Sequence, residues 1–380
     1  MNLVFLFMSH KMADKGDYDL HYEPSGPCGD HYQKVFKDEG YFSLLRELKI
    51  RGIIENLYIF FESGQEPGIA SWVSEANCQV IPNISLVEKY IDDDTIIFVR
   101  GGFRHWHNWL LQYKNKNWLM VYAANTGREK WPWWDIVLND LQLKSEIDSN
   151  DRYQFHFIKP INQTTFKPHY MINPTYDLCI GASHIHDKKG QWRAVKVLMA
   201  YKKLFGIDLK AVMPGSYRRS EKTLNMLQND LKEVDVICPG MLNRSDLCKL
   251  FNSCKLFMHL GAHGQNDRGP LEALACGTKI ILGSPKYHAA ELAYLSDIVK
   301  VPVDLDDFEG IAHQLHDLLS TWTPFDKKLT FDQFDRVLGI TSCFQRFSKL
   351  LLLMEASHEI SPESKKRILS GFSFLEEINN

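Results

Sequence analysis

A single carboxylate, that of Glu272, stands in the first turn of a predicted helix, directly after a polar loop that contains glycine. Residues 254–260 form an apolar run of strand length, 261–269 form the loop, and Pro270 opens the helix. In a parallel sheet such a loop lies at the carboxyl ends of the strands, where open α/β sheets bind ligands. The helix start suits phosphate, and a carboxylate one turn in can accept hydrogen bonds from a diol such as a ribose. The stretch therefore predicts a nucleotide site.

Strands and helices alternate through both halves of the chain, which predicts two doubly wound α/β domains. In the first half the predicted strands are 3–8, 56–61, 79–81, 95–99 and 118–123, with helices at 31–48 and 105–113. In the second half the predicted strands are 176–181, 209–213, 234–238, 254–260, 279–283 and 298–303. The helices between them are 191–205, 222–232, 244–252, 269–275 and 308–319, and the chain is predicted to be helical after residue 324. Strands separated by helices imply parallel sheets with right-handed crossovers.

The length of 380 residues exceeds one ordinary hydrophobic core and fits two domains. The stretch 159–174 carries Pro160, Pro168 and Pro174. Because proline forbids helix continuation and favours extended chain, this stretch is the predicted linker. We predict an N-terminal domain over 1–165 and a C-terminal domain over 175–345.

Composition bears on the class of protein and on its compartment. The net charge of −3 gives no electrostatic footprint for nucleic acid. Eight cysteines without a C-x-x-C spacing are interpreted as reduced, small hydrophobic residues, so we expect a reducing compartment and no metal site. The apolar run at 3–8 is too short for a signal peptide, and the run at 350–354 is too short to span a bilayer. We therefore expect a cytoplasmic protein without an integral membrane segment, with peripheral membrane contact left open.

The segment 271–277, LEALACG, resembles the donor-binding signature of the retaining glycosyltransferases of family 4. That signature has a first Glu, seven residues, a second Glu, and then Ala, a small apolar residue, Ala, Cys and Gly. Glu272 matches the second acid, whereas Gly264 and His263 stand near the position of the first. The resemblance covers about 175–320 and implies the GT-B fold, two Rossmann-like doubly wound domains facing a cleft. It also implies that a last helix, about 361–380, packs back on the N-terminal domain.

The resemblance implies that the C-terminal domain binds a nucleotide sugar and that the N-terminal domain receives the acceptor. Glu272 would hold the ribose. Lys189, which with the next glycine matches the family's Lys-Gly at a helix start, would hold the diphosphate. The family's arginine in this region is absent, and Arg268 is the candidate replacement because charge on a leaving diphosphate requires cations or helix N-termini.

Other positions follow from the same resemblance. The sugar ring would be oriented by His263 with help from Asp267, since a neutral imidazole both donates and accepts hydrogen bonds. The remaining donor-side candidates are backbone and amide groups of the signature loop and of the loop after strand 234–238: Asn266, Gly269, Gly240 and Met241. Gly29 lies in a loop similar to the family's glycine-rich loop, and Arg100 or His105 aligns with a family histidine near the reaction centre.

Several motifs have a competing interpretation. Residues 92–94 are three aspartates, as in metal-dependent transferases, but their place before a buried strand favours a solvated turn. The His-x-His pairs at 105–107 and 184–186 lack a third ligand, which favours histidines that only form hydrogen bonds. The tryptophans at 131–134 are equally compatible with stacking on an acceptor sugar and with a place in the core.

The function implied by the resemblance is transfer of a hexose from a GDP-mannose or UDP-glucose type of donor to a hydroxyl acceptor, in glycan biosynthesis. No cofactor and no essential metal are expected. One alternative is a catalytically inactive relative that binds nucleotide sugar as a sensor or scaffold. Another is an epimerase or phosphorylase of the same architecture. The donor's base and sugar, the acceptor, the linkage and the oligomeric state, a homodimer included, are left open by the sequence.

Overall fold

The computed structural model describes residues 2–7, 40–61, 79–81, 84–92, 95–100, 119–123, 136–139, 153–181, 184–185, 189–217, 227–261, 268–283 and 294–356. The chain divides into two compact units. The first unit consists of Met1–Pro160 together with Cys343–Asn380, and the second consists of Ile161–Ser342. Each unit is built on its own parallel sheet.

The sheet of the first unit has the strand order β3-β2-β1-β4-β5-β6-β7, and its neighbouring strands pair in parallel. Its strands are β1 Asn2–Phe7, β2 Asn56–Phe61, β3 Gln79–Ile81, β4 Thr95–Arg100, β5 Leu119–Ala123, β6 Ile136–Asn139 and β7 Tyr153–His156. The first five strands confirm the sequence prediction to within about one residue. The sequence analysis did not predict β6 and β7, which have four residues each.

The sheet of the second unit has the order β12-β10-β8-β13-β14-β15 and is also parallel. Its strands are β8 Tyr176–Ile180, β10 Ala211–Pro214, β12 Val236–Gly240, β13 Cys254–His259, β14 Lys279–Leu282 and β15 Val299–Lys300. A separate parallel pair joins β9 His184–Ile185 to β11 Ser216–Tyr217. The last strand was predicted to run to residue 303, but Pro302 lacks the N–H that a sheet requires and Val303 is fully exposed.

The helices are α1 Gly40–Ile50, α2 Gln191–Phe205, α3 Arg244–Asn252, α4 Arg268–Ala275, α5 Phe308–Ser320, α6 Phe325–Leu338 and α7 Ile340–Ala356. Short 3-10 turns lie at Ile84–Tyr90 and Leu231–Glu233. Local capping fixes several helix starts: the Asn243 side chain accepts the N–H of Asp246 before α3, and Asp307 accepts that of Gly310 before α5. These caps explain why the starts of α3 and α5 were predicted correctly.

Aromatic side chains form a cluster within the core of the first unit. The Phe98 ring of β4 lies 5.8 Å from Phe5 of β1, 5.5 Å from Tyr41 of α1 and 5.9 Å from Phe347 of α7, measured between ring centroids. The part of α7 from Cys343 onward therefore belongs to the first unit, although the helix begins in the second.

Aliphatic side chains dominate the core of the second unit. Strand residues such as Leu256 and Met258 pack there with Val195 of α2 and Leu315 of α5, all fully buried. The parallel strands consequently appear in the sequence as continuous apolar runs, as expected for a sheet covered on both faces.

Some predicted elements lie wholly or partly outside the described residues. These are 31–39 of the first predicted helix, the helix at 105–113, 222–226 of the helix at 222–232, and the helix at 361–380. Within the described part of the chain, no helix combines the length and apolar character needed to cross a membrane.

Candidate functional site

A glycine brings the start of α2 against the end of β13. Gly190 precedes α2 with a left-handed backbone, at φ +74°, and a Cβ placed there would lie 2.0 Å from the carbonyl oxygen of Leu260. Nearby, the N–H of Gly181, which follows β8, donates to the carbonyl of Met258 at 2.8 Å. Only glycine at position 190 permits the start of α2 to come this close to the backbone of Leu260. The loop after β8 and the loop after β13 therefore begin at one place on the carboxyl edge of the sheet.

The two predicted diphosphate-binding cations lie on elements that border this edge. Lys189 directly precedes Gly190, and Arg268 is the first residue of α4; both side chains are half-buried. Gly269, also predicted for the donor site, is the buried second residue of α4. The predicted helix, opened by Gly269 and Pro270, therefore begins one residue earlier in the structure, and Glu272 lies in the second turn of α4 rather than the first. Proline is compatible with this position because the first-turn N–H groups have no partner within the helix.

Glu272 is buried and forms an ion pair. Its Oε1 accepts a hydrogen bond from Nη1 of Arg244 at 2.6 Å, and only 3% of its side chain is exposed. The Arg244 side chain is 13% exposed, and its guanidinium carbon lies 5.3 Å from the centroid of the Phe166 ring. The Nε atom of Arg244 is buried and has no hydrogen-bond partner among the described residues. The ion pair supplies the counter-charge that a buried carboxylate requires.

The sequence prediction missed Arg244. This residue follows the Asn243 cap as the first residue of α3. A cation is unfavourable at that end of a helix because the dipole is positive there. The position of Arg244 was the available signal: an arginine at a helix N-terminus indicates that an anion lies nearby.

A second polar contact lies one turn farther along, between α3 and the residue that directly follows α4. Cys248 is four residues after Arg244, Cys276 is four residues after Glu272, and their Sγ atoms are 3.8 Å apart. Hydrogen bonding from the Cys276 thiol is the main cause that lowers the pKa of Cys248 to about 6, with further contributions from Lys167 and His169. Burial, followed by the contact with Cys248, raises the pKa of Cys276 well above its usual value. Cys248 is therefore the thiol of the pair that ionises first.

The loop predicted to hold the nucleobase leads directly into α3. Gly240 ends β12 with a left-handed backbone, at φ +78°, and its carbonyl accepts the N–H of Gly215 at 2.8 Å. Met241 follows with 39% of its surface exposed, and two residues later Asn243 caps the helix. The base loop, the cap and Arg244 thus form one continuous segment.

The structure locates the remaining site residues only in part. Arg100 is the last residue of β4 in the first unit. Four predicted site residues lie outside the described residues: Gly29, His263, Asn266 and Asp267. The histidines at 105–107 and the tryptophans at 131–134 lie outside them as well. Of the three aspartates, Asp92 accepts a hydrogen bond from the Thr95 hydroxyl at 2.6 Å, which agrees with a turn before β4.

Metal ions in proteins are held by several histidine, cysteine, aspartate or glutamate side chains that lie close together. No group of three or more histidine, cysteine, aspartate or glutamate side chains within the described ranges could hold a metal ion. The features of this site in the described part of the chain are thus two helix starts, two half-buried cations and one buried ion pair.

No protein-family model matches the sequence, and no curated protein matches it. Solved structures of glycosyltransferases resemble it in fold. A glycosyltransferase from Rickettsia africae has 14% identity and a TM-score of 0.60, and the match covers 95% of this chain and 99% of that one. Anabaena Alr3699/HepE in complex with UDP-glucose has 10% identity and a TM-score of 0.57, and the match covers 92% of this chain and 99% of that one.

The S. aureus TarM mutant, solved with UDP among its ligands, has 13% identity and a TM-score of 0.52. That match covers 70% of this chain and 57% of TarM, so the chain spans little more than half of TarM's length. At identities of this size the likeness establishes the fold alone. The chain has the GT-B fold, with two Rossmann-like domains, as the sequence resemblance implied.

Proposed function

We propose that this protein is a retaining glycosyltransferase that transfers a hexose from a nucleotide sugar to a hydroxyl acceptor. The observation that carries the proposal is the buried Glu272 on α4, beside a parallel-sheet edge where Gly190 admits the start of α2. Because 271–277 resembles the family 4 signature, we infer that this carboxylate binds a ribose. UDP-glucose in Alr3699/HepE and UDP in TarM favour a uridine donor over a guanosine donor.

In this proposal each group of the second unit contacts one part of the donor. Glu272 accepts the ribose hydroxyls; a carboxylate has about four lone-pair sites, so it can accept them while it accepts Arg244. Lys189 and Arg268 face the diphosphate, and the backbone at Gly240 and Met241 faces the base. The remaining donor contacts come from the signature loop: His263, Asn266, Asp267 and Gly269.

The proposed reaction requires no metal and no other cofactor. The bond between the anomeric carbon and the diphosphate breaks, and a bond forms between that carbon and the acceptor oxygen on the same face of the sugar. The acceptor proton passes to the leaving diphosphate. Positive charge from Lys189 and Arg268 accelerates the step because negative charge on the leaving group grows in the transition state. Arg100 and the loop around Gly29 belong to the acceptor side.

The test is titration calorimetry of the full chain with UDP, GDP, UDP-glucose and GDP-mannose. We expect binding of one nucleoside diphosphate and of its sugar derivative. Absence of binding by all four would contradict the proposal. If a donor binds, hydrolysis or transfer assays then follow release of the nucleoside diphosphate.

A second candidate function is that of an inactive relative that senses or carries a nucleotide sugar. The absence of an acid at 263 and 264 favours it, because the family's first Glu contacts the transferred sugar. A donor that binds but is neither hydrolysed nor transferred would support this candidate. His263→Ala separates the two further, since only in the active case should it weaken binding of the nucleotide sugar and spare that of the nucleoside diphosphate.

A further inference from the structure

The contact between α3 and α4 brings polar groups together on two successive turns. Arg244 and Cys248 lie on one face of α3, Glu272 lies on α4, and Cys276 directly follows that helix, its N–H donating to the Glu272 carbonyl at 3.1 Å. Helix residues four positions apart share a face, so the ion pair and the thiol pair meet across the same interface. A helix contact that served packing alone would need no buried charge at this place.

The Arg244 guanidinium is held on two sides. Its Nη1 donates to Glu272 at 2.6 Å, and the ring of Phe166 lies 5.3 Å from its central carbon. Asn243, the residue before it, is fixed as the helix cap by its hydrogen bond with the N–H of Asp246 at 3.0 Å. The guanidinium is thus preorganised before any ligand arrives, and a preorganised cation fixes both the charge and the orientation of the carboxylate it contacts.

We propose that Arg244 is a positioning residue of the nucleoside site, an inference that rests on the proposed function. Arg244 holds the Glu272 carboxylate ionised and oriented for the ribose hydroxyls. Because Arg244 directly follows the base loop and its cap, the ion pair also couples the segment that faces the base to the carboxylate that faces the ribose. Recognition of the ribose hydroxyls therefore depends on Arg244, although Arg244 itself need not touch the ribose.

The test is the ratio of two affinities, that for the nucleoside diphosphate and that for its 2′-deoxy analogue. UDP with 2′-deoxy-UDP is the first probe pair, and GDP with 2′-deoxy-GDP is the second. In the unchanged protein we expect the ratio to be at least about tenfold, the size of one charge-assisted hydrogen bond. In Arg244→Gln the ratio should fall to near one. A general loosening of the fold would lower both affinities together and would leave the ratio unchanged.

Four further variants sharpen the test. Arg244→Lys keeps the charge without the planar fork and should give an intermediate ratio. Glu272→Gln should lose the preference, and the double variant should lose no more than either single one, because both act through one contact. Arg193→Gln is the matched control: Arg193 is 14% exposed, lies over the Trp192 ring and pairs with Asp306 at 3.0 Å. Its ratio should equal that of the unchanged protein.

Each outcome has a distinct meaning. If the unchanged protein binds neither UDP nor GDP, the proposed function fails. If it binds one of them, and Arg244→Gln shows the same ratio of affinities as the unchanged protein, the role of Arg244 is wrong and the proposed function stands. If Arg244→Gln does not fold, Arg244→Lys decides: an intermediate ratio supports the role, and an unchanged ratio overturns it.

Discussion

Two helix contacts in the second unit place their charges differently. Between α3 and α4 the charged pair, Arg244 with Glu272, is buried. Around α2 and α5 the carboxylates are largely exposed: Asp306 pairs with Arg193 at 65% exposure, and Glu309 pairs with Lys203 at 58% exposure. Burying a carboxylate costs far more than leaving it in water. The buried pair of the α3–α4 contact therefore carries a desolvation cost that the exposed carboxylates around α2 and α5 avoid.

Ring contacts flank the buried aliphatic residues of the α2–α5 contact. The Phe205 ring stacks on His316 with centroids 4.1 Å apart, and the Tyr201 hydroxyl lies 3.0 Å from Nδ1 of the same histidine. Trp192 meets the edge of Phe308 at 6.3 Å. These helices are joined by rings and apolar groups, with ion pairs only at the rim. The two contacts therefore differ in the exposure of their carboxylates, not in whether they contain ion pairs.

The largest expected effect is that of removing one partner of the buried pair. Glu272→Ala leaves the Arg244 charge without its partner and should cost about 3–5 kcal/mol of unfolding free energy. It should also weaken binding of the nucleoside diphosphate at least tenfold or so, because the contact with the ribose is charge-assisted. Asp306→Ala is the control and should cost about 1 kcal/mol or less. Equal losses in the two variants, measured by chemical denaturation, would remove the distinction between the contacts.

The next effect compares the two ends of α2. Gly190 and Gly206 both have left-handed backbones, at φ +74° and +68°, but a Cβ would strike the Leu260 carbonyl only at Gly190. Gly206→Ala should cost about 1–2 kcal/mol through backbone strain. Gly190→Ala adds overpacking of about 1–3 kcal/mol and should displace the start of α2 from the sheet edge. Denaturation midpoints of the two variants give the measurement. A Gly190→Ala variant as stable as Gly206→Ala would show that the close approach is relaxed in solution.

A smaller effect depends on pH. The pKa of Cys248 is about 6 in the folded protein against an ordinary value of 9.0. The unfolded chain therefore binds more protons between these values, so this thiol's contribution to stability is complete above pH 9 and is lost as the pH falls through about 6. The raised pKa of Cys276 acts in the opposite direction, and only above its ordinary value of 9.0.

The measurement is the unfolding free energy at pH 6, 7.5 and 9 under reducing conditions. The difference between the unchanged protein and Cys248→Ser should increase across this interval. Cys238→Ser, which alters an exposed cysteine, is the control for the loss of a thiol. A difference that stays constant with pH would mean that the contact with Cys276 does not stabilise a thiolate.

The smallest effect belongs to the exposed rim of the α2–α5 contact. Lys203 and Glu309 pair at 3.3 Å with 76% and 58% of their side chains exposed. Lys203→Ala should change the unfolding free energy by less than about 1 kcal/mol and leave nucleotide binding unaltered. Thermal unfolding with calorimetry checks both. A large loss in either measurement would show that exposure is a poor guide to the role of a charge in this unit.

Most of the local structure of the second unit could be predicted from the sequence. The bounds of α2 and α3 were predicted to the residue because a glycine ends α2 and an asparagine caps α3. The start of α4 was misplaced by one residue, since Gly269 and Pro270 were taken to open the helix and the chain is already helical at Arg268. In the first unit β6 and β7 were missed, and they are recognised by their parallel pairing with β5 and with each other.

By itself the sequence determined the order of the elements, the parallel sheets they imply and the position of Glu272 on a helix after a strand. These features follow from periodicity and capping, which act over a few residues. Only the tertiary structure decided that Arg244 is the partner of Glu272 and that Gly190 contacts Leu260. The members of these pairs are separated by 28 and 70 positions, and their contact depends on which helix faces and strand ends meet when the sheet closes. Local patterns specify the faces but not their partners, which explains why Glu272 could be predicted from the sequence and Arg244, its counter-charge, only from the fold.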